Sequence, residues 1–247
     1  MYRPNVVVDG LVEYTISQLE CQAQHFLRQR VDVPFRAPIN VEVLLENMPG
    51  VTIRPKSNLI AQYSVEGAVC NDPETSDGRR VYIDFNLMNG FNDARYNAAV
   101  AEELAHLVLH PAMLMQVKSV EDFLEIRKCD QWKRIEVDAR RFSAAIRMPE
   151  SLIKESASAV YREIVDEHGF GDPLSIAKLV RNRLAQLFVV PLQDMHSRLI
   201  QWPCEVYAKV IASVVESSPV LIAPRQTAGQ WSQPPLFRFD PPHAAPQ

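Results

Sequence analysis

Residues 99–111 read AVAEELAHLVLHP, and four of them carry side chains able to bind a metal or move a proton: Glu102, Glu103, His106 and His110. Residues four apart on an α-helix share one face, one turn or about 6 Å apart along the axis. A helix here puts Glu102, His106 and His110 in one stripe with Glu103 beside it. Val100, Leu104, Leu107 and Val108 supply the apolar side. The frame is that of H-E-x-x-H with Glu102 in place of the first histidine. In that arrangement two side chains one turn apart hold a metal ion, and the glutamate after the first ligand is general base for the water that the ion activates. Glu102 and His106 are then ligands and Glu103 the base. Taken alone, a glutamate pair and a histidine also describe a solvated helix face or a hydrogen-bonded core histidine.

A second group follows in RIEVDARRFSAAIRMP, where Glu136 opens a small-residue helix that ends at Met148-Pro149. Together with AHLVLHP, the residues Glu136, Ala139, Phe142, Ala144, Met148 and Pro149 resemble the ImmA/IrrE family of metallopeptidases. PINVEVLLENMPGVTI, RRVYIDFN and LAQLFVVPLQDMHSRLIQW are similar to flanking segments of that family, so the resemblance spans roughly residues 38–202. It implies a zincin-like fold, with His106 and Glu136 as ligands and Glu103 as catalytic base. Glu102 takes the position of the family's first histidine. One divalent ion is implied, zinc by the resemblance, with manganese or iron favoured by a harder oxygen-rich ligand set. The implied substrate is a regulatory protein such as a helix-turn-helix repressor, cleaved in stress response or mobile-element control.

Three consequences of Glu102 stay open on the sequence. Two carboxylates and one histidine cancel the charge of a divalent ion and weaken it as a Lewis acid, which gives a retuned hydrolase. His106 and His110 could instead form the helical pair, but Leu107 then stands where the base should follow the first ligand. His110, next to Pro111, also suits a helix end, where the dipole favours it. In the third case catalysis is lost and the chain is a protein-binding module for a transcriptional regulator.

The elements that must position these residues form an α+β chain. A small antiparallel or mixed sheet is expected from VTIRP, LIAQYSV, GAVC and RRVYIDF, with a hairpin at NDPETSDG. It packs on the active-site helix, and a mainly α-helical C-terminal part follows. A helical extension occupies residues 1–37, and Asn40 caps a helix over VEVLLENM. Beyond the sheet, helices are expected at 94–110, 120–147, 150–168, 174–188 and 191–201. The metallopeptidase domain covers 38–168 and a loosely helix-turn-helix-like subdomain 169–203. A strand at EVYAKVIASVV and a Pro-rich tail make up 204–247.

With 26 basic and 30 acidic residues in 247, the chain has a net charge of −4 and no basic footprint for nucleic acid. Lys178, Arg181, Arg183 and Arg198 are the cations a nucleic-acid surface would use. No apolar run reaches a membrane span, and no basic-then-apolar leader opens the chain. The four cysteines form no C-x-x-C pair, which fits reduced thiols and a cytoplasmic location.

Overall fold

The computed structural model describes residues 11–71, 78–169 and 171–217. They fall into two units. The described residues up to Pro149, with Phe188–Pro191, form one; Glu150–Leu187 and the described residues from Leu192 onward form the other.

The first unit is α+β. Helix α1 (Ile16–Arg28) starts at a capping box in which the Thr15 hydroxyl accepts from the Gln18 amide and the Gln18 side chain accepts from the Thr15 amide. Its buried face, Leu19, Ala23, Phe26 and Leu27, belongs to the same apolar core as the sheet and central helices. Phe26 meets the ring of Phe142 edge-on at 6.2 Å. The N-terminal helix is thus part of this core, not an appendage to it. Helix α2 (Val41–Glu46) is capped as expected, the Asn40 side chain accepting from the Val43 amide.

Three strands follow: β1 (Val51–Lys56), β2 (Gly67–Asn71) and β3 (Arg79–Asp84), in the order β1-β3-β2. β1 runs parallel to β3, and β2 pairs antiparallel with β3, Gly67 lying opposite Ile83. The sheet is mixed. LIAQYSV does not join it: Leu59–Tyr63 is a single helical turn, α3, held between left-handed Asn58 and Ser64. The buried carboxylate of Asp84 explains the departure, since its Oδ2 accepts from the Ile60 amide and its Oδ1 from the amides of Asn86 and Leu87. These bonds fasten α3 and α4 (Phe85–Met88) to the end of β3. Asp84→Ala would orphan three amides, and we expect it to cost about 3 kcal/mol in a denaturant titration.

Helix α5 (Asp93–Leu109) carries the first motif, and α6 (Pro111–Leu114) continues from its end. The single helix expected over 120–147 is two: α7 (Val120–Ile126) and α8 (Trp132–Arg147). Val120, Phe123, Ile126, Cys129, Trp132 and Ile135 recur every third residue. On a straight α-helix such a series drifts around the axis, whereas tighter three-residue turns keep it on one side. The chain takes tighter turns from Arg127 to Gln131, with amide bonds from Lys128 to Glu125, Cys129 to Ile126 and Trp132 to Cys129.

The second unit is helical: α9 (Glu150–His168), α10 (Pro173–Phe188), α11 (Leu192–Ile200) and α12 (Val206–Ser217). Asp172 caps α10 through the Ser175 amide, 2.8 Å away. The strand expected at EVYAKVIASVV is instead α12. Its β-branched content suggests a strand, but the buried residues are Val206, Val210 and Val214, a four-residue repeat that only a helix puts on one face. Among the described residues no helix is long and apolar enough to cross a membrane. Most of the expected hairpin turn and the Pro-rich tail lie outside the described residues.

Candidate functional site

α5 starts where the Asn92 side chain accepts from the Arg95 amide, with Asp93 in the positive first turn. It packs against α8, α2 and the β2 side of the sheet, so its burial runs around much of the helix. Glu103 is 5 % exposed and His106 and His110 are each 2 % exposed. The N-terminal segment braces both motif helices. The Tyr14 hydroxyl donates to the Leu109 carbonyl, and Arg134 at the start of α8 reaches the Tyr14 carbonyl, Glu13 and Asp138.

Glu102, Glu103, His106 and Glu136 all line one cleft of about 330 Å³. His106 Nε2 is 3.5 Å from Glu136 Oε1, and the other Glu136 oxygen accepts from Arg140 at 2.9 Å. Trp132 stacks on the His106 ring at 5.8 Å, and Phe123 meets that ring edge-on. Gly67, at the start of β2, gives Glu103 its room: a Cβ there would lie 2.8 Å from Glu103 Oε1. The Glu103 Oε2 atom is buried and, among the described residues, has no hydrogen-bond partner.

Burial raises two of the three carboxylates, and the third is held low. Burial and then the charge of Glu136 push Glu102 up to about 7, with Arg140 and Arg147 pulling back only in part. Burial, then Glu102 and Glu136, hold Glu103 well above the usual carboxylate range. Burial also works to raise Glu136, but His106, Arg140 and Arg127 outweigh it and keep that group low. Burial and the neighbouring His106 bring His110 down to about 3, so it is neutral at ordinary pH.

The donor set can be compared with what a divalent cation needs. Adjacent ligands on tetrahedral zinc, with bonds of about 2.0–2.1 Å, sit about 3.3–3.4 Å apart, close to the His106–Glu136 separation. Glu102 faces the same cleft and offers a third donor, an oxygen of the right chemistry. Among the described residues, however, no three His, Cys, Asp or Glu side chains converge closely enough to form a ready-made cation site. The residues fit a metal in kind and in the spacing of two donors; a third would have to move to join them.

His110 occupies a different place from the one a ligand would need. Its Nδ1 lies 3.2 Å from Nδ1 of His106, on the far side of that ring from Glu136, and it does not line the cleft. With neutral His110 accepting at Nδ1 from His106 Nδ1, the Nε2 of His106 faces Glu136: it donates to that carboxylate in the metal-free chain and would offer its lone pair to an ion placed between them. That is the role of an orienting partner behind a metal ligand. We expect His110→Ala to weaken zinc affinity about 10–100-fold in a competition titration while leaving the stoichiometry unchanged.

The sequence pattern did not point to Gly67, Phe123, Arg127 or Trp132, which complete the cleft walls. A glycine at a strand start is the kind of signal that marks a close approach, here by Glu103. Trp132 and Arg127 were hidden in what looked like one long helix. Of the cations in α10 and α11, Arg198 is buried and Arg183 lies 3.5 Å from Glu167, so neither is freely presented to a polyanion. No protein-family model, curated protein or solved structure matches the chain.

Proposed function

We propose that the protein is a metal-dependent endopeptidase of the ImmA/IrrE type, cleaving a regulatory protein such as a helix-turn-helix repressor in the cytoplasm. The observation that carries this is the 3.5 Å approach of His106 Nε2 to Glu136 Oε1 beside the buried, unpartnered carboxylate of Glu103. The two-motif resemblance supports it, and the α5–β2 packing is read as zincin-like on that basis. Glu102, His106 and Glu136 would hold one divalent ion, zinc first and manganese or iron next. When bound, the ion supplies Lewis-acid activation of water and of the scissile carbonyl. Glu103 takes the proton from the attacking water, a role that suits a carboxylate whose basicity burial has raised. Trp132, Phe123 and His110 fix the His106 ring.

A second reading is a protein-binding module without catalysis. It is favoured by one observation: among the described residues no three donors converge. The two separate in one experiment. Protein reconstituted with zinc, manganese or iron is incubated with helix-turn-helix repressors from the same source. Cleavage abolished by chelator and by Glu103→Ala is the expected result. Complex formation without cleavage, unchanged by either treatment, would leave only the binding module.

A further inference from the structure

Next to the cleft lies a second hollow of about 610 Å³, larger and more apolar, and the two share Arg127 and Trp132 as a common wall. Its floor is Tyr63, Leu124 and Trp132, all partly buried against the core and therefore fixed. Its rim is electrically balanced, with Glu121 and Glu125 facing Arg127 and Lys128, and Lys128 lies 2.6 Å from Glu125.

The wall residue Arg127 is held but not neutralised. Its NH1 donates to the Tyr63 carbonyl at 3.4 Å and its guanidinium lies over the Trp132 ring, 5.8 Å from the centroid. Among the described residues it has no ion pair, and a guanidinium has five N–H donors in a planar fork. A cation with spare donors between a carboxylate-lined cleft and an apolar hollow is suited to a backbone carbonyl oxygen. The hollow is in the size range of small-ligand sites, roomy enough for a large side chain and the backbone that carries it. A charged side chain would lose hydration against Leu124 and Trp132 without gaining an opposite net charge at the rim.

The geometry points to the Tyr63–Leu124–Trp132 hollow as the side-chain pocket of the peptide substrate. It takes a large apolar residue, leucine or phenylalanine in size, adjoining the peptide bond presented to Glu103, and Arg127 holds a backbone carbonyl of that residue. This inference rests on the peptidase reading for its substrate class, but its test does not require hydrolysis.

The full-length chain, stripped of metal, is titrated calorimetrically with acetyl-Ala-Ala-Xaa-Ala-Ala-amide, where Xaa is Leu, Phe, Ala or Glu. The Leu and Phe peptides should bind at least about tenfold tighter than the Ala and Glu peptides. Leu124→Asp should erase that preference. Leu124→Trp, which fills the hollow without introducing a charge, should do the same if the Asp variant fails to fold. Arg127→Gln should weaken all four peptides alike. Equal binding of the four, binding of none, or a preference that survives a folded Leu124 variant would overturn the pocket. If the preference holds but metal-loaded protein cleaves neither these peptides nor a repressor, the peptidase reading fails and the pocket stands.

Discussion

Replacing Glu103 by glutamine is expected to lower peptide hydrolysis by about 10²–10⁴-fold while leaving the metal affinity close to that of the wild type. Loss of a positioned general base has an effect of that size. Glu103 belongs to no ligand pair in the cleft; the role proposed for it is to accept a proton, which glutamine cannot do. The same change should stabilise the metal-free protein at pH 8. Glu103 is buried, has one oxygen without a hydrogen-bond partner among the described residues, and lies near two further carboxylates. Ionising it there is unfavourable, and the amide removes the charge without changing the shape. A residue with a merely structural role would not combine a large loss of turnover with a gain in thermal midpoint, so the pair of measurements identifies the base.

The second large effect belongs to Glu102. Its carboxyl is raised from 4.5 to about 7 in the folded chain, by burial and then by Glu136. In the unfolded chain it ionises first, at its ordinary value. Below about pH 4.5 both states hold the proton and the shift costs nothing. Between there and pH 7 the unfolded state releases its proton while the folded state keeps it, so stability falls with rising pH, and the loss is complete above about 7. Glu102→Gln should therefore leave the midpoint of metal-free protein unchanged at pH 4.5. At pH 8 it should raise stability by about 3 kcal/mol, or about 6–12 °C. His110 acts in the opposite direction: its depressed value means that stability is lost as the pH falls from the ordinary histidine range toward about 3. Calorimetric scans of chelator-treated wild type and variant at the two pH values test this directly. With a metal bound, the order should invert, because Glu102 then provides a ligand charge and Gln does not. Glu102→His, which restores two histidines and one carboxylate, should bind zinc more tightly than the wild type.

Much of this arrangement was legible in the sequence because it rests on local periodicity. The four-residue spacing of Glu102 and His106 and the small-residue face around Ala139 set the two motif helices without help from distant contacts. What escaped depends on tertiary packing. The three-residue rhythm from Val120 to Ile135 looks helical but forces a break, and that break turns Trp132 onto His106. The β-branched run at Val206–Ser217 became a helix because its buried valines repeat every four residues. His110 lies in the same stripe as His106, yet it ends behind that ring, where α5 terminates and hands on to Pro111. No spacing rule shows which nitrogen of a histidine meets which neighbour.

The central claim is that Glu102, His106 and Glu136 form one metal site. Isothermal titration of zinc into chelator-stripped wild type, His106→Ala and Glu136→Gln tests it most directly. The account predicts one zinc per chain in the wild type, no measurable binding by His106→Ala and sharply weakened binding by Glu136→Gln. Zinc that fails to bind the wild type, or binds all three proteins equally, would contradict it.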